Sequence, residues 1–170
     1  MSADAPFDRA ALEALYVRLE RPLYNVVYRW TWEPQVAQEI VQDAFVRLWR
    51  MRDRVRPDTV EALVYRIALN RARNHRRWRR LRTFFGLRDD AVDPALAPDT
   101  ALAAHGDARR LRAAIEALPD DLREVMVLTT FSELTYGEIA QLTGVREGTV
   151  GSRRNRALAE LRRTVGGTGG

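Results

Sequence analysis

Apolar residues recur at helical spacing along almost the whole chain, and no segment alternates as a half-buried strand would. Leu12, Leu15, Leu19, Leu23, Val26, Val27 and Trp30 form a first stripe. Pro22 interrupts it, and a kink or restart is expected there because proline cannot donate the interior helical hydrogen bond. A cleaner stripe follows in Val36, Ile40, Val41, Ala44, Phe45, Leu48 and Trp49, with Gln38, Glu39, Gln42, Asp43, Arg47 and Arg50 on the opposite face. A third helix is expected to start at Thr59, a residue type that caps helices, with Leu63, Val64, Ile67 and Ala68 facing inward. Beyond Leu69 that apolar face stops, although "NRARNHRRWRRLR" is still compatible with helix. A helix that outruns its stripe is either solvated or holds something anionic.

Residues 84–108 change character: Pro94, Pro98, several alanines and five aspartates against one arginine read as a flexible linker. Short helices resume after it. Leu111, Ile115 and Leu118 lead to a stop at Pro119, and Leu122, Val125, Met126 and Thr129 mark the next helix. Thr135 and Glu138 have capping-box spacing and open a short helix with Ile139 and Leu142 inward. Gly144 sits where a tight helix–helix turn requires positive φ, and a last helix follows with Val150, Ala157, Leu158 and Leu161 inward. The pattern predicts an all-α chain of two small helical domains joined by a flexible linker, the second domain a helix-turn-helix.

Charge sharpens this picture. The net charge is +5, and all 28 basic residues are arginine, with no lysine. A basic balance favours an anionic partner, although a GC-rich codon bias is expected to account for the larger share of the arginine excess. There is no cysteine, which excludes disulfides and thiolate zinc sites. The start, "MSADAPFDRAALEALY", has no secretory-signal pattern, and no apolar run reaches bilayer-spanning length. The expectation is a soluble cytoplasmic protein without stable membrane insertion.

Two arginine clusters are the candidate chemistry. In the last helix Thr149, Ser152, Arg153 and Arg156 share one face at i, i+3, i+4 and i+7, and these types donate to phosphates and base edges. In the third helix Arg66, Arg71, Arg73, Arg76, Arg77, Arg79, Arg80 and Arg82 are interleaved with Tyr65, Asn70, Asn74, His75 and Trp78. Such a mixture can track a nucleic-acid backbone and receive unstacked bases; the alternatives are a solvated face and a basic helix on an anionic membrane, the latter weakened by the lack of a continuous apolar face. Catalysis finds little support. His75 and His105 are the only histidines, neither has metal-ligand spacing, and there is no P-loop or dinucleotide glycine pattern. No enzyme activity, cofactor, metal or small-molecule substrate is expected.

Three stretches, "VAQEIVQDAFVRLWR", "VYRIALNRARNHRRWRR" and "ALPDDLREVMVLTTFSELTYGEIAQLTGVREGTVGSRRNRALAELRR", resemble the extracytoplasmic-function sigma factors of bacteria. The first two match sigma region 2 and the third matches region 4, in the family's order. The resemblance implies region 2 over residues 1–83, a linker over 84–108 and region 4 over 109–170. It places contacts to the β′ clamp helices of core RNA polymerase on Glu39, Gln42, Asp43 and Arg47, with Trp49 in the core. It places −10 DNA opening and reading on Asn70, Arg73, Asn74, Arg76, Arg77 and Trp78, and −35 reading on Thr149, Ser152, Arg153 and Arg156. Partners implied are core polymerase, including its β flap, promoter DNA and an anti-sigma factor.

The chain departs from the family pattern at three places. Leu63 stands where the family usually has Trp, which would leave any melting role of that ring to another residue such as Trp78. Gly151 stands where Lys or Arg is common, and Arg154 where an apolar residue is common, so the Arg154 stem is expected to pack while its head reaches solvent. Two other readings remain open at this point. A stand-alone helix-turn-helix regulator would bind duplex DNA tightly by itself. A protein-interaction bundle with incidental basic faces would be indifferent to loss of Arg153 and Arg156.

Overall fold

The structure, a computed structural model, describes residues 7–86 and 102–166, with the side chains of 102–105 outside that description. The described residues hold seven α-helices, one 3-10 turn and no strand. The helices are α1 Arg9–Thr31, α2 Pro34–Arg50, α3 Val60–Phe84, α4 Leu102–Ala117, α5 Asp120–Phe131, α6 Tyr136–Thr143 and α7 Glu147–Gly166. The chain divides into two compact units, one holding α1 to α3 and Phe131–Glu133, the other holding the rest of α4 to α7.

In the first unit each of the three helices packs on the other two. Asp8 starts α1 by accepting from the Ala11 amide at 2.8 Å, which satisfies one of the orphan donors of the first turn. The helix then runs through Pro22 as one element, so no restart occurs there. Leu19, Leu23, Val26 and Val27, on both sides of the proline, are wholly buried, so tertiary packing outweighs the lost hydrogen bond. Burial at about 1.5–3 kcal/mol per large apolar side chain is ample for that.

The turn into α2 is sharp. Trp32 caps α1 at φ 56°, a left-handed conformation unusual for a bulky residue, and its amide donates to the Tyr28 carbonyl at 2.6 Å. Glu33 is extended, as the residue before a proline must be, and Pro34 takes the first turn of α2, where its missing donor costs nothing. The indole of Trp32 is buried. That burial offsets a backbone strain on the order of 1–3 kcal/mol.

The α2 stripe is buried as patterned at Ile40, Val41, Ala44, Phe45 and Leu48, whereas Val36 and Trp49 are only half-buried. Trp49 was expected in the core; instead the Arg52 guanidinium lies 4.6 Å from its ring centroid. Thr59 does occupy the N-cap of α3, but its side chain makes no capping bond, and its hydroxyl donates to the Arg56 carbonyl instead.

In the second unit α7 packs on both α4 and α6. Ile115, Leu118, Leu122, Val125, Met126, Ile139, Val150, Ala157 and Leu161 are buried. Leu111, read as inward-facing, is 46% exposed. Leu142 and Leu158, also read as inward, are half-buried. The capping box forms as spaced: the Thr135 hydroxyl accepts from the Glu138 amide at 3.2 Å and Glu138 Oε2 accepts from the Thr135 amide at 2.7 Å. Gly144 has φ 71° and ends α6. Arg123 in α5 is wholly buried, a rare position for its type, which removes one arginine from any anion-facing surface.

The span read as linker is partly helical. Helix α3 reaches Phe84 and α4 begins at Leu102, so His105 lies in a helix, while residues 87–101 fall outside the described residues.

Candidate nucleic-acid and polymerase interfaces

Ala72 is the last buried residue of α3, yet the helix continues for three more turns. Polar contacts hold that extension. Glu33, in the α1–α2 turn, places its Oε1 3.0 Å from His75 Nε2 and 3.1 Å from an Arg79 guanidinium nitrogen. An ionised carboxylate only accepts, so His75 Nε2 carries the hydrogen. Arg79 also donates to the Thr31 carbonyl at 2.9 Å. The Arg76 guanidinium lies 5.5 Å from the Trp30 ring centroid, within cation–π range. Nearer the core, Arg71 meets Asp43 at 3.3 Å.

These braces decide which face of α3 is available. Asn70, Asn74, Arg77 and Trp78 are exposed and share one ridge, with Arg73 beside it. Arg73 donates to Asn70 Oδ1 at 3.3 Å, which leaves the Asn70 NH2 as that amide's remaining donor group. Arg76 is turned away from the ridge toward Trp30, and Tyr65, counted with the basic cluster from sequence, is fully buried in the core. No Asp or Glu occurs between positions 62 and 88, so the whole extension presents one sign of charge.

On α2, Glu39, Gln42 and Arg47 are exposed and Asp43 is half-buried. Asp43 holds Arg47 at 2.7 Å as well as Arg71, which makes it a link between α2 and α3 as much as a surface group. Val46 is 47% exposed in the middle of this face. In the sequence it is an apolar residue out of register with the buried stripe.

On α7, Ser152 and Arg156 are exposed and Thr149 is half-buried. Ser152 Oγ donates to the Thr149 carbonyl at 3.0 Å, so toward a ligand it acts through its lone pairs. Arg153 stands apart from them: it is largely buried and its Nε lies 3.3 Å from Asp121 Oδ2 on α5. The exposed face instead includes Asn155, one residue before Arg156. Sequence reasoning passed over Asn155, although an amide three residues after Ser152 is the pattern that finds it. Arg154 is half-buried, consistent with a packed stem. Gly151 lies beside α6, where a Cβ would be 3.8 Å from Tyr136 Cε2.

No described helix is long and apolar enough to cross a membrane, and no group of metal-ligating side chains occurs among the described residues.

Residues 15–82 match the family description "Sigma-70 region 2" and residues 108–161 match "Sigma-70, region 4". The RNA polymerase sigma-H factor of Pseudomonas aeruginosa is 30% identical over 163 residues, covering 88% of this chain and 83% of that protein. The ECF RNA polymerase sigma factor SigE of Mycolicibacterium smegmatis is 32% identical over 167 residues, covering 94% of this chain and 64% of that protein.

Among solved structures, CnrH in complex with the cytosolic domain of CnrY superposes with a TM-score of 0.72 at 24% identity, over 95% of this chain and 91% of that one. The sigma factor RpoE of Bartonella quintana, in complex with the anti-sigma factor NepR, gives a TM-score of 0.68 at 21% identity, over 92% of this chain and 97% of that one. At those identities the structures speak to the shared fold. Two region matches in the family's order, with a relative aligned over most of both chains, establish that this protein belongs to the extracytoplasmic-function sigma factors, alternative sigma factors that direct transcription initiation.

Proposed function

We propose a division of labour in which the two units read two promoter elements. The domain assignment is region 2 over 1–83, a linker over 84–108 and region 4 over 109–170. The outward face of α2, with Glu39, Gln42, Asp43 and Arg47 around Val46, docks the β′ clamp helices of core polymerase. The α3 ridge of Asn70, Arg73, Asn74, Arg77 and Trp78 opens and reads the −10 element, with Arg76 contributing mainly through its packing on Trp30. Region 4 docks the β flap. Its helix α7 reads the −35 element with Thr149, Ser152 and Arg156, and Asn155 joins them; Arg153 orients α7 through Asp121. The protein works in the cytoplasm, acts without a cofactor, and catalyses no reaction itself.

The single observation that carries this reading is the α3 extension. A 25-residue helix has its distal part free of acid and held in place by polar braces, with amides and an indole left outward. Opening DNA costs about 1.4 kcal/mol per stacked step, and capture of an unstacked base returns about 1–3 kcal/mol. A few amide and ring contacts therefore nearly balance the opening of a short segment, which is what a promoter-opening surface requires. An anti-sigma factor holds the protein inactive, a reading supported by the relatives CnrH and RpoE, whose structures are complexes with CnrY and NepR.

Transcription from a promoter library with core polymerase tests the proposal, alongside promoter binding with and without core enzyme. Weak binding alone and strong, −35- and −10-dependent binding with core are expected. Tight duplex binding that ignores core enzyme would replace this reading with that of a stand-alone regulator.

A further inference from the structure

Along the basic run as a whole the apolar face of α3 is broken, but its last two turns are different. Trp78, Leu81, Phe84 and Phe85 are 66%, 40%, 83% and 69% exposed. At about 100° of rotation per residue they fall within a single arc of about 120°. Ala72, Arg76 and Arg79, which turn toward the bundle, occupy the opposite side of the helix. The apolar arc therefore points directly away from the bundle of α1 to α3. Phe84 sets its ring edge-on to Phe85, with centroids 5.5 Å apart. Apolar residues scattered singly are ordinary on a surface, whereas four adjoining ones rimmed by charge mark an interaction site. The rim is cationic: Arg80 and Arg82 border the arc on either side, Arg77 lies one turn before Phe84 and Leu81, and all three are exposed.

We infer that the tip of α3 docks on an anionic membrane surface. Trp78, Leu81, Phe84 and Phe85 enter the boundary between headgroups and acyl chains, and Arg77, Arg80 and Arg82 meet the lipid phosphates. Charge complementarity chooses the occupant, because no Asp or Glu occurs between positions 62 and 88 to oppose an anionic layer. Shape argues the same way. The arc is the convex side of a free helix end, so a flat surface reaches all four apolar side chains at once, while a protein would need a groove cut to fit them. The arginine stems are long enough to lie along the apolar layer with their heads among the phosphates. The contact is peripheral and reversible, since no described helix is long and apolar enough to span a bilayer. It goes beyond promoter reading and stands on the exposed tip alone, whichever element α3 reads.

The test uses the full chain and two kinds of vesicle, phosphatidylcholine alone and phosphatidylcholine with phosphatidylglycerol in equal parts. Binding is measured by co-sedimentation. The anionic vesicles should be bound about a hundredfold more tightly, since each of three arginines near such a surface contributes about fivefold. Trp78 is the one exposed tryptophan, and its emission should shift to the blue on the anionic vesicles. Phe84→Ser, Phe85→Ser should bind those vesicles about tenfold or more weakly, because each buried CH2 group is worth about fourfold. Phe84→Leu, Phe85→Leu should bind close to the native chain, because insertion needs apolar area and not a flat ring. All these side chains are exposed, so circular dichroism should be unchanged in both variants.

Native-like vesicle binding by the serine pair overturns the inference, since charge alone would then account for the attraction. Absence of vesicle binding by the native chain overturns it as well, and leaves the apolar arc to a protein groove. Loss of binding in the leucine pair to the same extent as in the serine pair also counts against it, by showing that the flat rings matter and apolar area does not.

Discussion

Helices α3 and α7 both present arginine to the outside, but they are held by different forces. Behind the working face of α7 lies an apolar row, with Val150, Ala157 and Leu161 buried over three turns. Behind the distal half of α3 lies almost none, and Glu33, His75, Arg79, Arg76 and Trp30 take its place. Apolar burial is non-directional and little affected by salt; ion pairs that are a quarter to a half exposed are weak singly and screened. Under the proposed reading, the helix that fits the regular groove of duplex DNA is fixed by packing. The helix that meets a strand changing from paired to unpaired is fixed by contacts that can yield.

The strongest way to break that contrast is to put a charge behind α7. Ala157 is wholly buried, and Ala157→Glu forces a carboxylate into the core of the second unit without a partner. A loss of about 3–5 kcal/mol is expected, comparable to the whole stability of a unit this small. All four tryptophans belong to the first unit. Their fluorescence should therefore keep its native urea transition while helicity by circular dichroism falls. A shift of the tryptophan transition by the same amount would show that the units unfold as one.

On the outer faces, Arg156→Ala should cost about 1–3 kcal/mol of −35-dependent promoter affinity, about five- to 150-fold, measured with holoenzyme. Arg153→Ala should behave differently. Its guanidinium is held by Asp121, so its removal should lower the unfolding midpoint by a small amount and affect all −35 sequences alike. If Arg153→Ala changes base preference and Arg156→Ala does not, the assignment of roles within α7 is reversed.

That pair of residues also marks how far the sequence could be read. The helical architecture, the Thr135–Glu138 capping box and the Gly144 turn were legible because each rests on contacts within a few residues. The two basic helices were legible because their composition is extreme. Which arginine points where was not. Arg153 and Arg156 are three residues apart on the same helix, and only Asp121, 32 positions before Arg153, separates them. Glu33 likewise reads as an unremarkable residue before a proline until folding brings His75, 42 positions later, to within 3.0 Å. At Pro22 the helix does not restart, because a local rule is outweighed by buried neighbours on both sides.

The brace itself can be weakened without touching the ridge. Glu33→Gln keeps the shape of the turn and removes the charge facing His75 and Arg79. About 1 kcal/mol of stability should be lost, since both pairs are partly exposed. Amide hydrogen exchange should locate the loss: protection should fall after Ala72 and stay unchanged in α3 up to Ala68 and throughout α7. Raising salt on the native chain should reproduce the pattern more mildly. Equal loosening of both helices would mean that the brace carries no more than the packing does.

The smallest effect expected is at Gly151, and it bears on how closely α7 is tailored to its surface. Gly151 has no positive φ and lies within a helix, where glycine costs about 0.5–1 kcal/mol relative to alanine. A Cβ at this position would make an ordinary 3.8 Å contact with Tyr136, so nothing in the protein's own packing excludes a side chain. Under the proposed −35 reading, the glycine reflects either a close approach of backbone to DNA or one phosphate contact that this chain does without. The half-buried position against Tyr136, at the edge of the α7 face rather than its centre, favours the second. Gly151→Arg should raise the unfolding midpoint of the second unit and strengthen transcription about equally on all −35 sequences, because a phosphate contact carries no base preference. Weaker transcription from a protein that is more stable would show the backbone approaching the DNA at Gly151, and α7 would then be shaped by its ligand as well as by its core.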